Sequence, residues 1–268
     1  MKSKIIFSLT IIALAIYSLT GLNSCTPSTT TPTPVHDTVY VHDTANIHDT
    51  ASCMNCFSAV ACYPFDGNAN DVSGNNFNGT VSNATLGIDR KGNANKAYNF
   101  LFSSGSYIEL PTYQTILGSS NDFSVSMWLK FSGVDAGPTP LQLFPDSPSD
   151  RLLISVPYHP TANPADIYWD YGNISSGGRL NIPIVTFTTW KHFVFVRNNA
   201  LSKLEVFVDG VSVGSKTSAS NMTNKNRNFR IGGGGVGTET FNGLIDDVKI
   251  FNRALTSAEV STIYNTEK

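Results

Sequence analysis

The clearest pattern along the chain is alternation. In Phe123-Ser124-Val125-Ser126-Met127-Trp128-Leu129-Lys130-Phe131 every odd position is apolar and the even positions are mostly polar, as in a half-buried strand whose side chains point to opposite faces in turn. Leu204-Glu205-Val206-Phe207-Val208 behaves similarly and runs into Asp209-Gly210-Val211. Asp-Gly between such runs predicts a two-residue hairpin, because that turn needs positive φ at both centres. Further strands are predicted over 58–65, 95–101, 106–110, 151–156, 166–171, 187–197, 227–232 and 243–251. Helical spacing is absent until Thr256-Ser257-Ala258-Glu259, a capping box with Leu255 and Val260 placed for a hydrophobic staple. One short helix, about 257–266, is predicted there as an appendage. The many short strands predict an all-β fold: a two-sheet antiparallel β-sandwich with a short C-terminal helix.

The first 56 residues follow a different pattern. Lys2 and Lys4 precede a charge-free run from Ile5 to Leu19, which reads as an export signal and falls short of a membrane span of about twenty residues. The run ends at Leu22-Asn23-Ser24-Cys25, which resembles the lipobox of bacterial lipoproteins. That resemblance implies removal of residues 1–24 as a signal peptide, lipid on Cys25, and a membrane-anchored protein outside the cytoplasm, on the outer membrane or cell surface. Ordinary secretion, with Cys25 a bystander, is the alternative. Thr26 to Pro34 is Thr, Pro and Ser only, a composition that favours solvated, extended backbone. His-Asp-Thr then recurs every six residues, from His36, His42 and His48. Six suits an extended chain better than a helix, so 25–56 is read as anchor and spacer and 57–268 as the folded domain. Metal capture by the His-Asp pairs and self-association of stalks are the other readings of the repeat.

Charge narrows the partners. Only 14% of residues are charged and the net charge is -2, so no basic field attracts nucleic acid. In an exported chain Cys53, Cys56 and Cys62 are disulfide candidates; three thiols leave one unpaired, and a local staple involving Cys62 is expected. A zinc site from these thiols and His48 is the sharper alternative.

Several stretches, in order, carry a family resemblance. They are Ala61-Cys62-Tyr63-Pro64-Phe65-Asp66-Gly67-Asn68-Ala69-Asn70-Asp71-Val72-Ser73-Gly74, Asn78-Gly79-Thr80, Tyr107-Ile108-Glu109-Leu110, Phe123 to Leu129, Trp190-Lys191-His192-Phe193, Val206-Phe207-Val208-Asp209-Gly210 and Gly243 to Leu255. Together they resemble the laminin-G-like jelly roll of the concanavalin A-like lectin/glucanase superfamily. The resemblance implies a fold that hosts glycan binders, protein binders and some enzymes, so function rests on the site.

In 243–251, strict alternation puts Asp246 on one face with Leu244, Val248 and Ile250. A carboxylate there needs a cation or an arginine. The resemblance implies a structural calcium held by Asp71 and Asp246 with loop carbonyls; the alternatives are backbone N–H partners for Asp246 and an Asx-turn at Asp71. Glycan hydrolysis calls for two carboxyl groups about 5 to 9.5 Å apart, yet no two acidic residues are separated by a single residue, the spacing that sets them side by side on one strand face. The chain therefore reads as non-catalytic. Tyr113, Tyr158, Tyr168 and Tyr171 are the candidate ligand contacts, since a flat ring with a polar tip suits sugars and protein surfaces. The expectation is a recognition module for a glycan or protein. A structural component of the cell envelope is the second reading, and a glycan hydrolase or lyase the third.

Overall fold

A computed structural model describes residues 56–132, 139–158, 165–184, 187–234 and 240–268; Cys25, Cys53 and the His-Asp-Thr repeat lie outside them. Among the described residues fifteen strands form two antiparallel sheets. In chain order they are β1 (Ala61–Tyr63), β2 (Thr80–Ser82), β3 (Thr85–Gly87), β4 (Ala97–Phe100), β5 (Tyr107–Thr112), β6 (Phe123–Phe131), β7 (Leu141–Phe144) and β8 (Arg151–Tyr158). The rest are β9 (Ala165–Gly172), β10 (Arg179–Ile184), β11 (Lys191–Asn198), β12 (Lys203–Val208), β13 (Val211–Thr217), β14 (Asn228–Ile231) and β15 (Gly243–Phe251). One sheet runs β13-β12-β11-β6-β15-β4-β3 with β1 beside β15, and the other β10-β9-β8-β7-β14-β5-β2.

The apolar alternation builds the core between the sheets. Phe123, Val125, Met127, Leu129 and Phe131 of β6 meet Leu152, Ile154, Ile167 and Trp169 of β8 and β9 there. The predicted hairpin joins β12 to β13, with Asp209 and Gly210 at φ 48° and 81°, the positive values its turn requires.

Two expectations change. A second helix, α1 (Tyr113–Leu117), opens at Thr112, whose side chain accepts from Thr115 N–H. And β6 is buried on both faces: Ser124 and Ser126 are wholly buried although they point away from the inter-sheet core. The cause is the C-terminal helix, α2 (Ser257–Glu267), which forms the predicted capping box and lies over the outside of the eight-stranded sheet. Val260 and Ile263 pack there with Val194, Val196, Phe207, Phe251 and Leu255. At about 1.5 to 3 kcal/mol per buried aliphatic side chain, this second core makes α2 an integral layer rather than an appendage.

Candidate functional site

The charge cluster under α2 decides the fate of Asp246. The β15–β6 register shifts between Asp246 and Lys249, and Asp247 takes φ 49°. The extra residue ends the strict alternation: Ile245, Val248 and Ile250 face the core, whereas Asp246 does not share their face. Its carboxylate lies 2.8 Å from Arg90 Nη1, and the same nitrogen is 2.6 Å from Asp247. Arg90 Nε donates to the Glu267 carbonyl of α2 at 3.0 Å, and the guanidinium lies over the Trp128 ring. Lys249 is 2.7 Å from Glu267 Oε1, and Trp128 Nε1 donates to Glu267 Oε2 at 2.7 Å. Burial and the Asp247 carboxylate push the Asp246 carboxyl up to about 8, against the pull of Arg90.

Asp71 is also satisfied by protein. Its Oδ1 accepts from Cys62 N–H and Ser73 N–H at 2.9 Å each, and its Oδ2 from the Ser73 hydroxyl at 2.8 Å and Phe77 N–H at 3.0 Å. Four donors on one carboxylate make the Asx-turn and pin β1 to the following loop. These residues do not fit calcium: the Asp71 lone pairs face N–H and O–H groups, and a guanidinium already stands against Asp246. Among the described residues no group of three His, Cys, Asp or Glu side chains could hold a metal ion.

The tyrosines divide. Tyr113 and Tyr171 are wholly buried, which removes them from ligand contact. Their hydroxyls meet at 3.3 Å, and Tyr113 also donates to the Ser120 carbonyl, so both polar tips are satisfied inside. The side chain of Tyr158 lies outside the described residues. Tyr168 is half-buried, pointing away from the core that holds its neighbours Ile167 and Trp169. Cys56 is disulfide-bonded to Cys62, with Cα atoms 5.8 Å apart.

Tyr168 belongs to a surface whose other members sequence reasoning missed. On the outer face of the seven-stranded sheet, the register aligns Thr80, Glu109, Arg230, Gln142, Leu153, Asp170 and Arg179, one residue from each strand. At its β10 end, Asp170 receives a two-pronged bond from Arg179, with both contacts at 2.7 Å, and a third from Arg151 at 3.2 Å. Arg151 in turn pairs with Asp146. The Arg179 guanidinium lies 4.5 Å over the Tyr168 ring, beside the exposed Asn181, which is opposite Tyr168 in register. Toward the other end, Arg230 lies over Phe144 at 3.6 Å and Tyr107 at 4.1 Å, and is 2.8 Å from Glu109. The two arginine–aromatic groups stand roughly 19 Å apart, four strand spacings of about 4.8 Å. The detectable signal is the alternation of β9, which places Asp166, Tyr168 and Asp170 on one face and Tyr171 on the other.

Gln142, Leu153 and Asp170 of the row are buried; its accessible members offer the Arg179 guanidinium, ring edges, the Asn181 amide and the Glu109 carboxylate, the groups that bind hydroxyl-rich or peptide ligands. Among the described residues it does not offer a hydrolytic pair. Glu109 and Asp170 are separated by the same roughly 19 Å, beyond the about 9.5 Å that inversion tolerates, and Asp146 and Asp170 share Arg151. Elsewhere, Ser126 Oγ lies 2.8 Å from His192 Nε2, but Glu267 approaches that same nitrogen, at 4.0 Å, not the opposite one as a triad requires, and all three side chains are buried.

Comparison with known proteins places this geometry in a family. Residues 102–261 match the model of the Laminin_G_3 family, concanavalin A-like lectin/glucanases. No curated protein matches the sequence. Among solved structures, domain 4 of AbnA, an extracellular arabinanase of Geobacillus stearothermophilus solved with arabinotriose, is similar at 25% identity and TM-score 0.59, over 77% of this chain and 98% of that one. The binding domain of Paraclostridial Mosquitocidal Protein 1 is 19% identical, TM-score 0.60, over 78% of this chain and 53% of that one. Botulinum neurotoxin type C, which depends on two ganglioside molecules to get into cells, is 14% identical, TM-score 0.59, over 80% and 53%. The present chain thus spans about half the length of the two toxin chains, and its likeness to them is one of fold. The chain belongs to the concanavalin A-like lectin/glucanase superfamily.

Proposed function

We propose that this protein is a non-catalytic carbohydrate-recognition domain, exported and tethered to a membrane through lipid on Cys25, and that it binds its ligand on the outer face of the seven-stranded sheet. The observation that carries the reading is the transverse row from Glu109 to Arg179, where half-buried aromatic rings are stacked with arginines whose orientation is fixed by carboxylates. Such preorganised donors beside flat apolar surface are what a sugar, with its hydroxyl edge and C–H face, requires. The likeness to an arabinanase domain solved with arabinotriose supports it.

The test is calorimetry of the full chain with arabinotriose and a panel of longer plant and microbial oligosaccharides. Binding that is lost in Tyr168→Ala and Arg179→Ala, with no new reducing ends over days, is the expected result. Binding that survives both substitutions would place the site elsewhere, and accumulating cleavage products would overturn the non-catalytic part. For the anchor, metabolic labelling with a radioactive fatty acid is expected to mark the full chain and not Cys25→Ala.

A further inference from the structure

The arginines on the proposed face look at first like a site for an acidic glycan, and the geometry points the other way. Arg179 is held by both oxygens of Asp170 at 2.7 Å. Arg151 is shared between Asp170 and Asp146. Arg230 is 2.8 Å from Glu109, and its Nη1 donates to the Gly234 carbonyl at 2.7 Å. Among the described residues, three cations thus face three carboxylates across one surface. Lys216, at the sheet edge, is directed to the Arg179 carbonyl at 2.8 Å, and Asp166, which alternates onto the face of Tyr168, adds a charge of the opposite sign.

We infer that the ligand class of this face is a neutral, hydroxyl-rich oligosaccharide, and that Asp170 and Glu109 are specificity-determining residues because they neutralise the arginines a uronic or sulfated sugar would need. This rests on the reading of the face given above. The physical reason is competition. An incoming carboxylate or sulfate must displace a two-pronged, charge-assisted contact already made, and Asp170, with no exposed surface, would be left with only the longer 3.2 Å contact of Arg151, itself shared with Asp146. A hydroxyl asks for no displacement: it can accept from a guanidinium edge or donate to a carboxylate while the ion pair stays intact. Half-exposed Arg179 and the exposed Asn181 amide supply such edges beside the Tyr168 ring.

The experiment compares neutral oligosaccharides with oligogalacturonate and sulfated oligosaccharides of equal length, on the wild-type domain and on Glu109→Gln and Asp170→Asn. Wild type is expected to bind the neutral class, with affinity unchanged as salt rises from about 50 to about 500 mM, a range that screens exposed charge pairs. Each variant is expected to gain binding of the acidic probes that fades in high salt, by about tenfold or more. Glu109, being partly exposed, keeps the test open if Asp170→Asn fails to fold. Salt-sensitive binding of an acidic probe to wild type, lost in Arg179→Ala, would overturn this inference while leaving the face in place. Failure of either variant to gain acidic binding, while wild type binds the neutral class, would deny the carboxylates their selecting role. Absence of any glycan binding, or binding untouched by Tyr168→Ala and Arg179→Ala, would overturn the reading of the face itself.

Discussion

Arg90 and Asp246 are 156 residues apart in sequence and 2.8 Å apart in the fold. One guanidinium thereby ties the loop after β3 to the bulge of β15 and, through the Glu267 carbonyl, to the end of α2. The aspartate that the sequence marks for compensation is matched by an internal cation.

Removing that cation should be expensive. Arg90→Ala leaves Asp247 and the Glu267 carbonyl without their donor in a buried setting, and is expected to lower unfolding free energy by about 3 kcal/mol, the usual cost of orphaning one member of a buried pair. Asp246→Asn keeps an acceptor oxygen and is expected to cost about 1 kcal/mol. Urea denaturation of both variants gives the comparison.

Three buried groups set the pH profile. The folded protein keeps a proton on Asp246 up to about pH 8, whereas the unfolded chain releases it near 4, so this group's contribution is full in acid and declines as pH rises toward 8. Burial of Glu267 acts in the same sense. His192 works oppositely: burial and the Lys249 charge lower its imidazole to about 3, so its contribution is full above about 6.5 and is lost as pH falls from there. The carboxyls and the imidazole oppose each other in mild acid, and from 6.5 to 8 the carboxyl side dominates. Denaturant midpoints are expected to fall across that interval, at no more than about 1.4 kcal/mol per pH unit per proton, and to flatten in Asp246→Asn.

Chelation tests the carboxylates of the β1 region. Because Asp71 accepts from three backbone N–H groups and the Ser73 hydroxyl, millimolar chelator is expected to leave the melting curve unmoved. Asp71→Ala is expected to lose about 3 kcal/mol as those buried donors go unmatched. A melting temperature that rises with added calcium would show that the loop rearranges around a metal.

The disulfide closes a short ring. Cys56 and Cys62 are six residues apart, and the loop-closure relation gives about 2 kcal/mol for such a ring. Cys56→Ser with Cys62→Ser should cost that much and leave glycan binding unaltered, since both cysteines pack outside the eight-stranded sheet.

The parts of the fold legible in the sequence were those with an uninterrupted local rule. Alternation located β6, Asp-Gly the β12–β13 turn, and the capping box α2. Short edge pieces escaped it: β2 and β3 have three residues each, and β10 carries Pro183, which an edge strand tolerates and a central strand does not. The single-residue bulge at Asp246–Asp247 also escaped, because a pattern of period two carries no mark of where its phase slips. The tyrosines divided for a related reason. A ring with a polar tip suits the surface and the core equally, and whether Tyr113 and Tyr171 find each other depends on residues 58 positions apart. For Tyr168 the information was local, since it alternates with Trp169 and keeps step with Asp170. The row from Thr80 to Arg179 draws on seven strands, and pairings of that range are set by the sheet as a whole.

The position of Cys56 has a consequence for presentation. Bonded to Cys62 and packed with Val194, Phe251 and Ile263, it fixes where the backbone joins the sandwich: on the back of the sheet opposite the one bearing Tyr168 and Arg179. A handle attached behind the palm leaves the palm clear: the disulfide and the outer face of the seven-stranded sheet do not compete for the same side of the sandwich.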